Sequence, residues 1–168
     1  RRVRFGARRR LWRGVDGGIG AGVGVVVRGH RDVVGCLPFR ERIVAGRDGT
    51  GRAAAWMRVS QDLPEDRIVH AAGLAYLSDD LPTDAVVRAH PVRSESQEVL
   101  HRVLFTASLD HTIWFHRPFR ADEWQLHDFS CHTFVGGRGL SLGHVFATDG
   151  SHIATIAQEV LLRDTRER

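Results

Sequence analysis

Residues 138–163 read RGLSLGHVFATDGSHIATIAQEVLLR, and their alternation decides the fold. From Ala154 onward every second residue (Ala154, Ile156, Gln158, Val160, Leu162) falls on one face of a strand, because successive side chains on an extended chain point to opposite sides. Gln158 is the polar member of that apolar row. Asp149-Gly150 divides this strand, His152–Arg163, from an earlier one, Arg138–Thr148, and is the signal of a two-residue hairpin. Working upstream, Glu123–Thr133 and Val103–His116 read as two further strands, with Gly136-Gly137 as a second turn. Ala53–Val59 forms a short strand with Trp56 as its bulky member. Asp62-Leu63-Pro64-Glu65 then has the pattern of a capping box, Asp62 as N-cap and Glu65 three residues on. The helix it opens runs to about Asp79. Ile68, Ala72, Ala75 and Asp79 lie on one stripe of that helix, which small residues suit for close packing on a sheet. Leu81 to about Leu100 is a polar, Pro-containing connection, looped or partly helical. One helix followed by an antiparallel meander is an α+β pattern, a long sheet wrapped around a central helix.

The first fifty residues have a different texture. Gly17–Gly24 reads GGIGAGVG, too rich in Gly for a helix and too irregular for a strand. A dinucleotide-binding loop fails on spacing, since Val23 stands where the third Gly is required. The segment 1–52 is therefore expected to be an Arg/Gly-rich linker or a poorly ordered first strand. The folded domain spans 53–163 and a short tail 164–168.

Composition narrows the function classes. The chain has 168 residues and a net charge of +4, and its 24 basic residues are all Arg. That length suits one domain. Much of the positive excess lies between Arg1 and Arg13, with no basic stripe interleaved with aromatics, so no nucleic-acid partner is expected. No apolar run reaches the roughly 20 residues that span a bilayer, so no membrane insertion is expected. Cys36 and Cys131 are far apart without a CxxC spacing, which fits a reduced, cytoplasmic setting.

Three polar residues stand out against this background: Asp79 at the end of the helix stripe, Ser108 on the first long strand, and Gln158 on the last. If the helix packs on those strand faces, all three converge on one buried point. Taken singly, each has a plainer role: a structural acceptor, an ordinary strand hydroxyl, a satisfied buried amide. Asp110 and His111 invite an acid–base dyad, but adjacent strand residues point to opposite faces, which predicts a structural role near the sheet's end. His111 and His116 also fall on opposite faces by counting, which leaves zinc ligation without support.

Ser108-Leu109-Asp110-His111-Thr112-Ile113-Trp114-Phe115-His116-Arg117-Pro118-Phe119 followed by Asp122-Glu123-Trp124 closely resembles the signature of type II (TesB-like) acyl-CoA thioesterases. So do Gly137-Arg138-Gly139, Thr148-Asp149-Gly150 and Ala157-Gln158-Glu159, and upstream Tyr76-Leu77-Ser78-Asp79. The similarity covers roughly Ala53 to Arg163 and is to the second, C-terminal repeat of a double hotdog chain. It implies a hotdog fold, an antiparallel β-sheet around a central α-helix. It implies hydrolysis of acyl-CoA to free fatty acid and CoA, with no metal or redox cofactor. The family's catalytic Asp, Ser or Thr, and Gln correspond to Asp79, Ser108 and Gln158. The implied mechanism is direct attack by water, with Asp79 as base.

The resemblance fails at Ser130-Cys131-His132-Thr133-Phe134-Val135, where the family carries small residues. Phe134 and His132 are expected to narrow an acyl or CoA channel. A degenerate domain that binds acyl-CoA or a partner without turnover is the second reading. A hotdog dehydratase is disfavoured, because its usual Asp and His loop pairing is absent. A lone hotdog exposes a sheet edge and a helix surface, so homo-oligomerisation or pairing with a missing N-terminal hotdog repeat is expected.

Overall fold

The alternating rows build one antiparallel sheet. The computed structural model describes residues 27–30, 39–43, 51–90 and 97–166. Its strands are β1 (Val27–His30), β2 (Phe39–Ile43), β3 (Arg52–Val59), β4 (Leu104–Ser108), β5 (Thr112–Phe115), β6 (Gln125–Val135), β7 (Arg138–Ala147) and β8 (His152–Asp164). They form an eight-stranded sheet in the order β1-β2-β3-β6-β7-β8-β4, with β5 also paired to β8. Three helices, α1 (Arg67–Ser78), α2 (Asp80–Ala89) and α3 (Gln97–Val103), lie between β3 and β4 in the chain. The glycine-rich stretch 17–24 and Cys36 lie outside the described residues. Two short strands nevertheless fall within the segment read as a linker or a first strand, and they extend the sheet beyond β3.

The helical region departs from expectation in three ways. The N-cap of α1 is Asp66, whose carboxylate accepts from Ile68 N at 2.8 Å. Asp62-Leu63-Pro64-Glu65 stays a loop because other groups claim it. Asp122 Oδ2 accepts from the Leu63 amide at 2.8 Å, and Arg120 pairs with Glu65. The inward face of α1 is His70, Gly73, Leu74, Leu77 and Ser78, whereas Ile68 is 77% exposed and Ala72 and Asp79 face solvent. Both stripes have helical spacing; burial selects the one with the larger apolar volume.

The third departure is the central helix itself. It is α2, lying where a connection was expected, that touches β3, β6, β7 and β8, while α1 meets mainly β3. Pro82 occupies its first turn, where a missing N–H leaves no helical bond unmade, and Leu81, Pro82, Ala85 and Val86 point inward. Val86 reaches the sheet because residue 139 is Gly; a Cβ there would collide with its side chain.

The hairpin between β7 and β8 also differs from the expected two-residue turn. Ala147 N bonds Ser151 O at 2.9 Å, which leaves Thr148, Asp149 and Gly150 as a three-residue loop. A two-residue type I′ turn needs positive φ at both positions, yet Gly150 has φ +85° and Asp149 is not positive. This is the three-residue geometry in which Gly closes the loop.

Between sheet and helices the core gathers Met57, Leu74, Leu77, Leu81, Phe129, Ile153 and Ile156. His127 lies among them, fully buried, with neither ring nitrogen hydrogen-bonded. Burial pushes its pKa down to about 3 from 6.5. The unfolded chain therefore takes up a proton that the folded chain refuses. The resulting loss of stability is absent above pH 6.5 and accumulates as pH falls toward about 3, at up to about 1.4 kcal/mol per pH unit. His127→Leu is expected to flatten the decline of unfolding free energy between pH 6 and 4 by about that slope. Urea titrations across this range check it; an unchanged slope contradicts it.

Candidate active site

Where α1 gives way to α2, Asp79 serves as C-cap of the first and N-cap of the second. This junction faces the last residue of β4. Ser108 Oγ donates to Asp79 Oδ1 at 2.9 Å, and Gln158 Nε2 donates to Ser108 Oγ at 2.8 Å. Ser108 pairs with Val160 across the ladder, so Gln158, two residues back on β8, shares its face. The three residues singled out in the sequence therefore meet. The meeting point is not fully enclosed: Gln158 is 0% exposed, but Asp79 and Ser108 are open to solvent.

A fourth member was missed. His111 Nδ1 is hydrogen-bonded to Gln158 Oε1, and His111 Nε2 lies 2.9 Å from Ser78 Oγ. Strict alternation put His111 in a structural role away from the site; a bulge overturns that count. Val103–His116 is not one strand but two, β4 and β5, broken at residues 109–111. Ser108 stands opposite Val160, while Thr112 stands opposite Ala157. Leu109 and Asp110 thus share Glu159, as Leu109 N donates to Glu159 O at 2.9 Å and Glu159 N to Asp110 Oδ1 at 2.7 Å. One extra residue shifts the parity of everything after it, which returns His111 to the face of Ser108 and Gln158. The sequence signal was Asp110, whose carboxylate can stand in for a ladder carbonyl.

Ser78, Asp79, Ser108, Gln158 and His111 together form a closed circuit, since Ser78 and Asp79 are neighbours in the chain. Ser78 is fully buried, and its hydroxyl reaches both His111 Nε2 and Ala75 O, the latter at 3.2 Å. The single Ser108 proton is directed at a carboxylate, and its lone pair receives an amide N–H. Such a constellation presents an open carboxylate oxygen and an amide donor side by side. Among the described residues no group of three or more His, Cys, Asp and Glu is placed to hold a metal ion, and no helix is long and apolar enough to cross a membrane.

Asp122, another signature residue, braces the loop before α1 through the Leu63 amide and Arg120. Burial pushes the Asp122 carboxyl up, but hydrogen bonds from Arg120 and the Leu63 amide outweigh it and hold it below the usual carboxylate range. Further along β8, beyond Val160, a groove of about 580 Å³ is lined by His90, Phe105, Phe134, Leu162 and Asp164 among others. Phe134 packs against the cluster formed by Val86, Val160 and Leu162 and meets the His90 ring edge-on at 5.0 Å. His132 is exposed.

The model of a family described as "Acyl-CoA thioesterase C-terminal domain" matches residues 14–162. The chain belongs to this family. The match begins well upstream of Ala53, where the motif resemblance stopped. Acyl-CoA thioesterase 2 of Haemophilus influenzae is 37% identical over 109 residues, which are 65% of this chain and 36% of that protein. Acyl-coenzyme A thioesterase 8 of Homo sapiens is 46% identical over 63 residues, 38% of this chain and 20% of that protein. Among solved structures, acyl-CoA thioesterase II TesB2 from Mycobacterium marinum superposes with a TM-score of 0.64 at 32% identity, over 88% of this chain and 59% of that one. The sheet curled on its helix is the hotdog fold of these thioesterases. The chain thus spans about a third of the bacterial curated relative.

The bulge provides a test of the site's frame. Asp110→Ala leaves the Glu159 amide without its acceptor and is expected to lower unfolding free energy by about 1 kcal/mol. Asp110→Asn keeps an oxygen there and should retain most of it. Chemical denaturation of both variants checks this; equal stability of Ala and wild type contradicts it.

Proposed function

We propose that this domain hydrolyses acyl-CoA thioesters to free fatty acid and CoA, using water held by Asp79, Ser108 and Gln158. The observation that carries the reading is the one-way hydrogen-bond chain from Gln158 through Ser108 to Asp79. Asp79 takes a proton from water as the water oxygen attacks the thioester carbonyl carbon. The tetrahedral intermediate collapses, the C–S bond breaks, and the proton held by Asp79 passes to the departing sulfur, which leaves as the CoA thiol and frees the carboxylate. Thioesters are weakly stabilised by resonance, so a carboxylate base suffices. Water rather than Ser108 is the nucleophile in this reading, because the Ser108 hydroxyl is hydrogen-bonded to the carboxylate and to an amide, and not to an imidazole that would activate it.

Domain boundaries and partners follow from the same reading. The region from about Ala53 to Arg163 is the second hotdog repeat, and another hotdog unit covers its open side. Support comes from the exposure of Asp79 and Ser108, from Phe105 exposed on edge strand β4 and Leu109 just after it, and from Ile68 exposed on α1. That unit is a second copy of this chain or a first repeat, and the setting is the cytoplasm. Light scattering of the purified chain is expected to give a dimer or larger; a monodisperse monomer contradicts it.

A second reading, acyl-CoA binding without turnover, is favoured by Phe134, which lines the groove beyond Val160. Thiol release from acyl-CoAs of several chain lengths separates the two. Hydrolysis is expected, and Asp79→Asn should lower kcat by about 10²–10⁴-fold, the contribution of a general base, with acyl-CoA binding retained. Binding without thiol release by the wild type supports the second reading.

A further inference from the structure

A glutamine amide has two ends of nearly equal shape, and its catalytic value depends on which end faces the hydroxyl. Ser108 sends its proton to Asp79, so it has lone pairs to offer Gln158 and needs an N–H in return. With the amide flipped, oxygen would face oxygen and the donor would be lost. We infer that His111, braced by Ser78, is a positioning residue that locks the Gln158 amide with its nitrogen toward Ser108. This rests on the water-attack reading above and adds a residue to it.

The geometry supplies each link. Gln158 Oε1 can only accept, so the His111 Nδ1 facing it must carry a proton. The opposite ring nitrogen is held by Ser78 Oγ at 2.9 Å, from a fully buried position one residue before the proposed base. The end of α1 therefore sets two things at once: the place of Asp79 and, through His111, the orientation of the amide. The bulge at Leu109 and Asp110 is what brings the imidazole opposite Gln158. The hydrogen bonds of His111 go to Gln158 and Ser78, and those of Asp79 to Ser108, so the imidazole acts through Gln158.

Two measurements test this. Long-range ¹H–¹⁵N NMR of the His111 ring is expected to show a protonated Nδ1 whose shift changes in Gln158→Ala. In steady-state kinetics His111→Ala should lower kcat about tenfold, the factor one lost hydrogen bond carries, with KM within about twofold. His111→Asn, whose side-chain N–H can stand in for Nδ1–H, should restore most of the rate. In a Gln158→Ala background the His111→Ala change should cost nothing further. An unprotonated Nδ1, equal losses for Asn and Ala, or additive losses would overturn the inference. If the wild type releases no thiol, the hydrolase reading fails by itself, and the NMR result decides the role of His111.

Discussion

The hydroxyl of Ser108 has one proton, and the direction in which it points organises the site. It is given to Asp79 at the α1–α2 junction and replaced by an N–H from Gln158 on β8. Two ends of the chain's folded order, a helix terminus and the last long strand, are thereby tied across an edge strand. Neither hydrogen bond is worth much alone in water, about 1 kcal/mol. In the proposed reaction their value lies in fixing a carboxylate and an amide relative to each other before substrate arrives, which is how preorganised polar groups act on a developing charge.

That arrangement depends on packing well away from it. Central helix α2 comes close to β7 because Gly139 leaves room for Val86. The loop before α1 is pinned by Asp122 and Arg120 rather than capped as a helix. The break between β4 and β5 is stabilised by Asp110 in place of a ladder carbonyl. Asp110, Asp122 and Gly139 fall in stretches that resemble the family, and none of them hydrogen-bonds Asp79, Ser108 or the Gln158 side chain. Much of the signature preserves the frame.

What was legible in the sequence was whatever depends on period alone. The row Ala154, Ile156, Gln158, Val160, Leu162 lies on the buried face as the alternation required, and Ser108 shares the face of Gln158; Asp79 meets them from the α1–α2 junction and not from the inward stripe that helical spacing gave it. Illegible features were those in which a tertiary contact outweighs local pattern. Asp62 was passed over as N-cap because Asp122 takes the Leu63 amide, and the stripe through Ile68 lost to the one through Leu74 and Leu77. A bulge inserts one residue without changing composition, so strand counting could not bring His111 to the face it occupies. The helix α2 was hidden by its own Pro and charges, although Pro82 sits where a first turn tolerates it.

The central claim is that water, and no protein atom, attacks the thioester. A single turnover in H₂¹⁸O with enzyme in excess over acyl-CoA, followed by mass analysis of product and peptides, measures this most directly. The account expects the label in the released acid, an unlabelled Asp79 carboxylate and no acyl group on Ser108. Label in Asp79, or an acylated Ser108 peptide, would contradict it.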